Sequence, residues 1–131
     1  MKELEEKVRE FLIARGWDDL RPSDLAKSIS IEAAELLELF QWMSVSAAEV
    51  KADPAKLQKL ELELADVMIY CLEMSVTLGI DTKQAIEKKL QICEEKYPAP
   101  LMLSLNNKER DPGTDETYLK IKEEYRRKGL S

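Results

Sequence analysis

Apolar residues recur along this chain at intervals of three and four, the period of an amphipathic helix, with no strand-like alternation. The spacing predicts a first helix from about Lys2 to Ala14, stopped at Arg15-Gly16 because glycine readily takes the left-handed conformation that ends helices. A connector, Trp17 to Pro22, leads to a second helix from about Ser23 to Met43, with Ser23 or Asp24 as its cap. A Ser-rich segment, Ser44 to Lys51, precedes Asp53-Pro54, an acidic cap followed by proline at the first helical position. The third helix then runs to about Leu78, with Gly79 as its stop. Asp81 or Thr82 caps a fourth, which ends before Pro98. Ala99 to Thr114 reads as a loop, with Asn106-Asn107 and Asp111-Pro112-Gly113 as turn signals. A highly charged last helix, Asp115 to Lys128, has few apolar anchors. The expected fold is all-α: a bundle of four main helices plus a C-terminal helix.

Around the second helix, at about 100° per residue, Leu25, Ile29, Ala33, Leu36, Leu39, Phe40 and Met43 form one broad apolar face. Glu32 falls inside that face, Glu35 lies at its edge beside Trp42, and Glu38 falls on the polar side with Lys27. A carboxylate in a core-facing stripe is costly unless paired or metal-bound; the plainer reading is a glutamate at a helix edge. The third helix is apolar over most of its circumference, through Leu57, Leu60, Leu64, Val67, Met68, Cys71, Leu72 and Met74, as expected of a helix in the middle of a bundle. Its one polar sector holds Lys59, Glu63, Asp66, Tyr70, Glu73 and Thr77. That sector is either a solvated side or the wall of an acidic cleft facing Glu32 and Glu35.

Composition narrows the chemistry. The chain has 131 residues, 44% hydrophobic and 35% charged, with only 4 glycines, which suits one helical domain. A net charge of −6 argues against an electrostatic grip on nucleic acid or an anionic membrane. Cys71 and Cys93 both fall inside helical patterns and read as reduced, packed thiols. The charged start, Met1 to Glu6, lacks an apolar signal core, and no apolar run could span a bilayer. A cytoplasmic protein is expected. With no histidine there is no Ser-His or Cys-His nucleophile and no HExxH zinc site. Acid–base or metal chemistry must rest on carboxylates, Lys, Tyr or Cys.

Glu32 with Glu35, and Glu63 with Asp66, are each spaced to share a helix face. With 26 acids in the chain, several such pairs arise by chance, so their place on the wheel carries more than the spacing. Four carboxylates in one cleft repel one another and raise each other's pKa. A hard dication resolves the conflict: magnesium takes oxygen ligands, with manganese as the alternative. The EF-hand pattern of calcium and the usual zinc ligands are absent.

At these residues the sequence resembles a known family. Ser30-Ile31-Glu32-Ala33-Ala34-Glu35-Leu36-Leu37-Glu38-Leu39-Phe40-Gln41-Trp42 is similar to the first signature of the MazG-like nucleotide pyrophosphohydrolases, and Glu61-Leu62-Glu63-Leu64-Ala65-Asp66-Val67-Met68-Ile69-Tyr70 to the second. Lys89 to Pro98 resembles a third segment, in which Cys93 replaces the usual Asn. Gly16-Trp17 and Pro22 to Ala26 fit the stretch before the first signature. The resemblance covers about residues 5 to 98, so residues 1–98 are expected to form the catalytic domain and 99–131 a C-terminal loop and charged helix.

The resemblance implies an all-α fold assembling as a homodimer or homotetramer, and hydrolysis of nucleoside triphosphates between the α and β phosphates. It implies Glu32, Glu35, Glu63 and Asp66 as magnesium ligands. Trp17, Trp42 and Tyr70 match aromatics that help form the base pocket in the dCTP pyrophosphatase branch. Lys89 and Lys96 are candidate phosphate contacts, and Cys93 joins them as a substrate-binding position. A histidine that some relatives carry shortly after the Trp17 position is missing. Water is the expected nucleophile, with Glu35 as the preferred general base and Glu38 as the second candidate. The competing expectation is a non-catalytic acidic helical module for partner binding or regulation, which leaves Glu32 in its apolar stripe unexplained.

Overall fold

The computed structural model describes residues 1–105 and 116–130. Among these the chain is helical, with no strand: α1 Lys2–Ile13, α2 Pro22–Glu38, α3 Ala47–Lys51, α4 Pro54–Leu78, α5 Thr82–Lys96, α6 Ala99–Leu105 and α7 Glu116–Arg127. None of the described helices is long and apolar enough to cross a membrane. The chain divides into two compact units, residues 1–82 and 83–131.

In the first unit, α4 is the element on which α1, α2 and α3 pack. Asp53 caps it by accepting from the Lys56 amide at 3.1 Å, Pro54 opens its first turn, and Gly79 ends it at φ +65°. The Ile80 amide then reaches back to the Ser75 carbonyl at 2.8 Å, satisfying a carbonyl the helix would otherwise strand. Val8 and Leu12, one turn apart on α1, meet Leu72 of α4 in a small buried cluster flanked by Leu20 and Val76. The Thr82 amide donates to the Glu5 carboxylate at 3.2 Å, tying the end of α4's connector to α1. The α1–α2 connector is pinned by Trp17, whose amide donates to the Leu12 carbonyl at 3.0 Å and whose ring meets Phe11 edge-on at 6.1 Å.

Several expectations are corrected. Among the described residues there are seven helices where the sequence predicts five. The Ser-rich segment holds α3, nucleated by a capping box: the Ser46 amide donates to the Glu49 carboxylate at 2.7 Å, and Ser46 Oγ accepts from the Glu49 amide at 3.3 Å. The predicted loop from Ala99 contains α6. Its turn signals at Asn106-Asn107 and Asp111-Pro112-Gly113 lie outside the described residues. Neither Ser23 nor Asp24 caps α2; Arg21 holds the cap position and Pro22 the first turn, where its fixed φ and missing N–H cost nothing. The same helix ends at Glu38, not Met43, because the chain tightens there into turns whose bonds span three residues instead of four, Phe40 N–H to Leu37 O at 3.0 Å and Met43 N–H to Phe40 O at 3.1 Å.

α4 is also not enclosed as a central helix should be. Leu72 is buried, yet Leu62 stays 62% exposed, and Leu64, Met68 and Ile69 are exposed beside it. On α2, Leu25 is buried, Ile29 and Leu36 are half-buried, and Ala33 and Leu37 are exposed; in the turns that follow, Leu39 and Phe40 are half-buried and Met43 is exposed. Among the described residues, this part of the apolar surface of the two helices is left uncovered.

In the second unit, the rings of Tyr97 and Tyr118 stack at 5.1 Å. The Lys96 ammonium lies over the rings of Tyr97 and Tyr125, at 5.2 and 5.1 Å from their centres, which offsets its burial through cation–π attraction.

Candidate metal centre and adjoining cleft

α2 and α4 pack side by side and run antiparallel, as their partners show: Glu32 meets Glu63 and Asp66, while Asp24, Leu25 and Ser28 share a cleft with Tyr70 and Glu73. The acids are therefore brought together by the packing of these two helices, in which Leu25 of α2 and Leu72 of α4 are buried. One carboxylate oxygen each from Glu32, Glu63 and Asp66 lie within 4.8 Å of one another. Glu32 and Glu63 are half-buried and Asp66 is exposed. Partial burial holds the Glu32 carboxyl above its ordinary pKa, and the negative charges of Glu35, Asp66 and Glu63 push it further the same way. Three hard oxygen donors in this arrangement could hold a divalent cation.

Glu35 is exposed and stands outside the group of three, though its charge is felt at Glu32. Glu38 is exposed at the last residue of α2.

One to two turns from the acids, the same helix pair opens into a cleft of about 250 Å³. α2 contributes Asp24, Leu25 and Ser28, α4 contributes Tyr70 and Glu73, and the connector contributes Trp17 and Leu20. Two of the three aromatics singled out from the sequence thus line one space. The third, Trp42, does not: α2 has already ended, and the indole is 88% exposed. In the second unit, Lys89 is exposed, Cys93 half-buried and Lys96 buried among its tyrosines.

Glu73 was not among the candidate site residues. It is only 5% exposed, and burial pushes its carboxyl above the usual range. No hydrogen bond or ion pair to it is found among the described residues. The signal was present in the sequence: Glu73 follows Tyr70 by three and Asp66 by seven, which places all three on one stripe of α4.

Comparison with known proteins gives consistent results. Mouse (Mus musculus) dCTP pyrophosphatase 1 is 34% identical over 94 residues, 70% of this chain and 55% of that protein. The human (Homo sapiens) dCTP pyrophosphatase 1 is 32% identical over 101 residues, 76% of this chain and 59% of that protein. The chain thus spans a little over half the length of these curated relatives. The crystal structure of a pyrophosphatase from Archaeoglobus fulgidus DSM 4304 superposes with a TM-score of 0.65 at 42% identity, covering 75% of this chain and 92% of that one. The MazG-like family profile matches residues 27–111, which takes in α2 from Lys27 onward, all of α4, the three converging acids and Glu73. This chain belongs to the MazG-like family.

Proposed function

We propose that the chain is a divalent-cation-dependent nucleoside triphosphate pyrophosphohydrolase, releasing a nucleoside monophosphate and pyrophosphate. The observation that carries this reading is the convergence of Glu32, Glu63 and Asp66 within 4.8 Å beside a cleft walled by Trp17 and Tyr70. The names of the mouse and human relatives support dCTP as a substrate, and the A. fulgidus neighbour supports anhydride hydrolysis.

The donor set suits magnesium. Ligands about 2.1 Å from the ion stand about 3 Å apart when adjacent and about 4.2 Å when opposite, so modest side-chain rotations would close the three oxygens onto one ion. The charges that raise the Glu32 pKa are all carboxylates, which is the crowding a dication relieves. Glu32, Glu63 and Asp66 would hold it, with Glu35, one turn along α2 from Glu32, as the candidate fourth ligand; manganese has the same oxygen preference. Bound there, the cation would supply positive charge between the acids and an anionic triphosphate and stabilise the charge gathering on the phosphoryl oxygens.

The remaining work falls to the side chains. Glu35 accepts a proton from the attacking water, and Glu38 is the second candidate for that role. The water oxygen bonds to the α phosphorus as the bond to the α–β bridging oxygen breaks, and pyrophosphate leaves. Trp17 and Tyr70 offer aromatic walls against which a base can stack. The exposed apolar surface of α2 and α4, including Leu37 at 66% exposure, supports assembly with a second copy of the chain.

The test is pyrophosphate release from a panel of nucleoside triphosphates, with magnesium and with a chelator. Magnesium-dependent release that Glu32→Gln abolishes supports the reading. Absence of release from every triphosphate would overturn it in favour of a binding module.

A further inference from the structure

Two carboxyls line the cleft, and they differ. Asp24 is paired, accepting from the Lys27 ammonium at 2.9 Å, and both partners are exposed. Glu73 is buried, lacks any partner among the described residues, and borders the space that Trp17 and Tyr70 wall. A largely buried carboxyl without a protein hydrogen bond is poorly solvated, so a ligand that supplies the bond gains by it. Its position fits a ligand spanning the two sites. Glu73 lies seven residues from Asp66, about 10 Å along the helix axis, so a nucleotide with its phosphates at the acids can turn its base toward Glu73. The cleft's 250 Å³ is below the roughly 300–1,000 Å³ of pockets that enclose whole drug-sized ligands; it suits a single ring.

We infer that Glu73 selects the base in this cleft, accepting a hydrogen bond from the exocyclic amine of an amine-bearing pyrimidine and disfavouring a keto oxygen at the same ring position. The inference rests on the pyrophosphohydrolase reading for the placement of the phosphates. Its chemistry follows from the carboxyl. Ionised or protonated, the group retains an acceptor oxygen, so an amine is satisfied in either state. A keto oxygen is satisfied only by the protonated form and faces lone pair against lone pair with the ionised one. Confinement explains why a single such contact discriminates: a polar group of the base that mismatches a largely buried carboxyl has few alternative partners.

The experiment compares kcat/KM for dCTP and dUTP in the wild-type protein and in Glu73→Gln, which is isosteric and therefore keeps the packing. A glutamine amide satisfies either edge by flipping. The wild type should prefer dCTP by about tenfold or more, and the variant should lose about tenfold of that preference, chiefly by gaining activity on dUTP. A purely structural role for Glu73 would lower both substrates together. An active wild type whose dCTP:dUTP ratio does not change in Glu73→Gln overturns the inference and leaves the enzyme reading intact.

A second measurement is independent of turnover. With carboxyl-13C glutamate in the wild-type protein, and the Glu73 resonance assigned by its loss in Glu73→Gln, dCMP without metal should shift that resonance and dUMP should shift it less. If no triphosphate is hydrolysed, the enzyme reading fails, and this titration still decides the base contact: an unmoved Glu73 resonance overturns it.

Discussion

Glu32 of α2 and Asp66 of α4 present carboxylate oxygens within 4.8 Å of each other, and the charge of Asp66 helps hold the Glu32 pKa above its ordinary value. Neutralising either acid therefore has two opposite effects. Glu32→Gln and Asp66→Asn should each lower pyrophosphate release by about a hundredfold or more, as loss of a transition-state charge contact does. Each should also raise the metal-free melting temperature, because repulsion in the cluster is relieved. Pyrophosphate assays and thermal melts in chelator check both; a lower melting temperature together with retained activity would contradict the cluster's role.

Glu73 gives the fold a distinct pH dependence. Its folded pKa is raised by burial, whereas its unfolded value is near 4.3. Below about pH 4 the group is neutral in both states and imposes no penalty. As pH rises above that value the unfolded chain releases the proton while the folded chain retains it, so the folded state binds more protons and stability falls with rising pH. The loss is complete once pH passes the folded pKa. Urea unfolding from about pH 4 to 7 should show this decline, and Glu73→Gln should flatten it.

Leu12 is 1% exposed at the centre of the cluster with Val8 and Leu72. Leu12→Ala should destabilise the first unit by about 3 kcal/mol, within the span seen for buried leucines. The denaturant midpoint measures it.

That cluster also shows what the sequence disclosed and what it withheld. Helical period and caps foretold α1, α4, α5 and α7 to within about two residues at each end. They missed α3, whose capping box at Ser46 and Glu49 was legible, and α6, a short apolar run read as loop. The wheel placed Glu32 inside the apolar face, and the structure sets it half-buried against acids from another helix. The wheel failed for Trp42, since its argument assumed that α2 continued past Glu38. Glu73 was hidden for a different reason. Periodicity sets Glu73 on the stripe of Asp66 and Tyr70, but only packing against the connector and α2 turns that stripe into the wall of a cleft.

Gly79 holds φ +65° where α4 ends, and a Cβ built there would touch nothing within 4 Å. Gly79→Ala should therefore cost only the backbone strain of a left-handed alanine, about 1–2 kcal/mol. A thermal melt that is unchanged would mean that the turn relaxes to another conformation.

The uncovered apolar flank makes assembly testable. Leu62→Glu, on the exposed side of α4, should shift the protein toward a monomer in light scattering if a second copy covers that side. A wild type that is monomeric at micromolar concentration would remove the oligomer from the proposal.

Between Pro54 and Leu78 α4 runs as one unbroken rod, and Asp66, Tyr70 and Glu73 are all mounted on it. Separation and angular bearing are thus locked together. Inserting one residue after Asp66 would lengthen the span by about 1.5 Å but swing Tyr70 and Glu73 by about 100°, out of line with the acids. Descendants of this chain can change its reach only in strides of about one helical turn, 5.4 Å, so fine adjustment to a larger or smaller ligand has to come from swapping side chains, not from altering helix length.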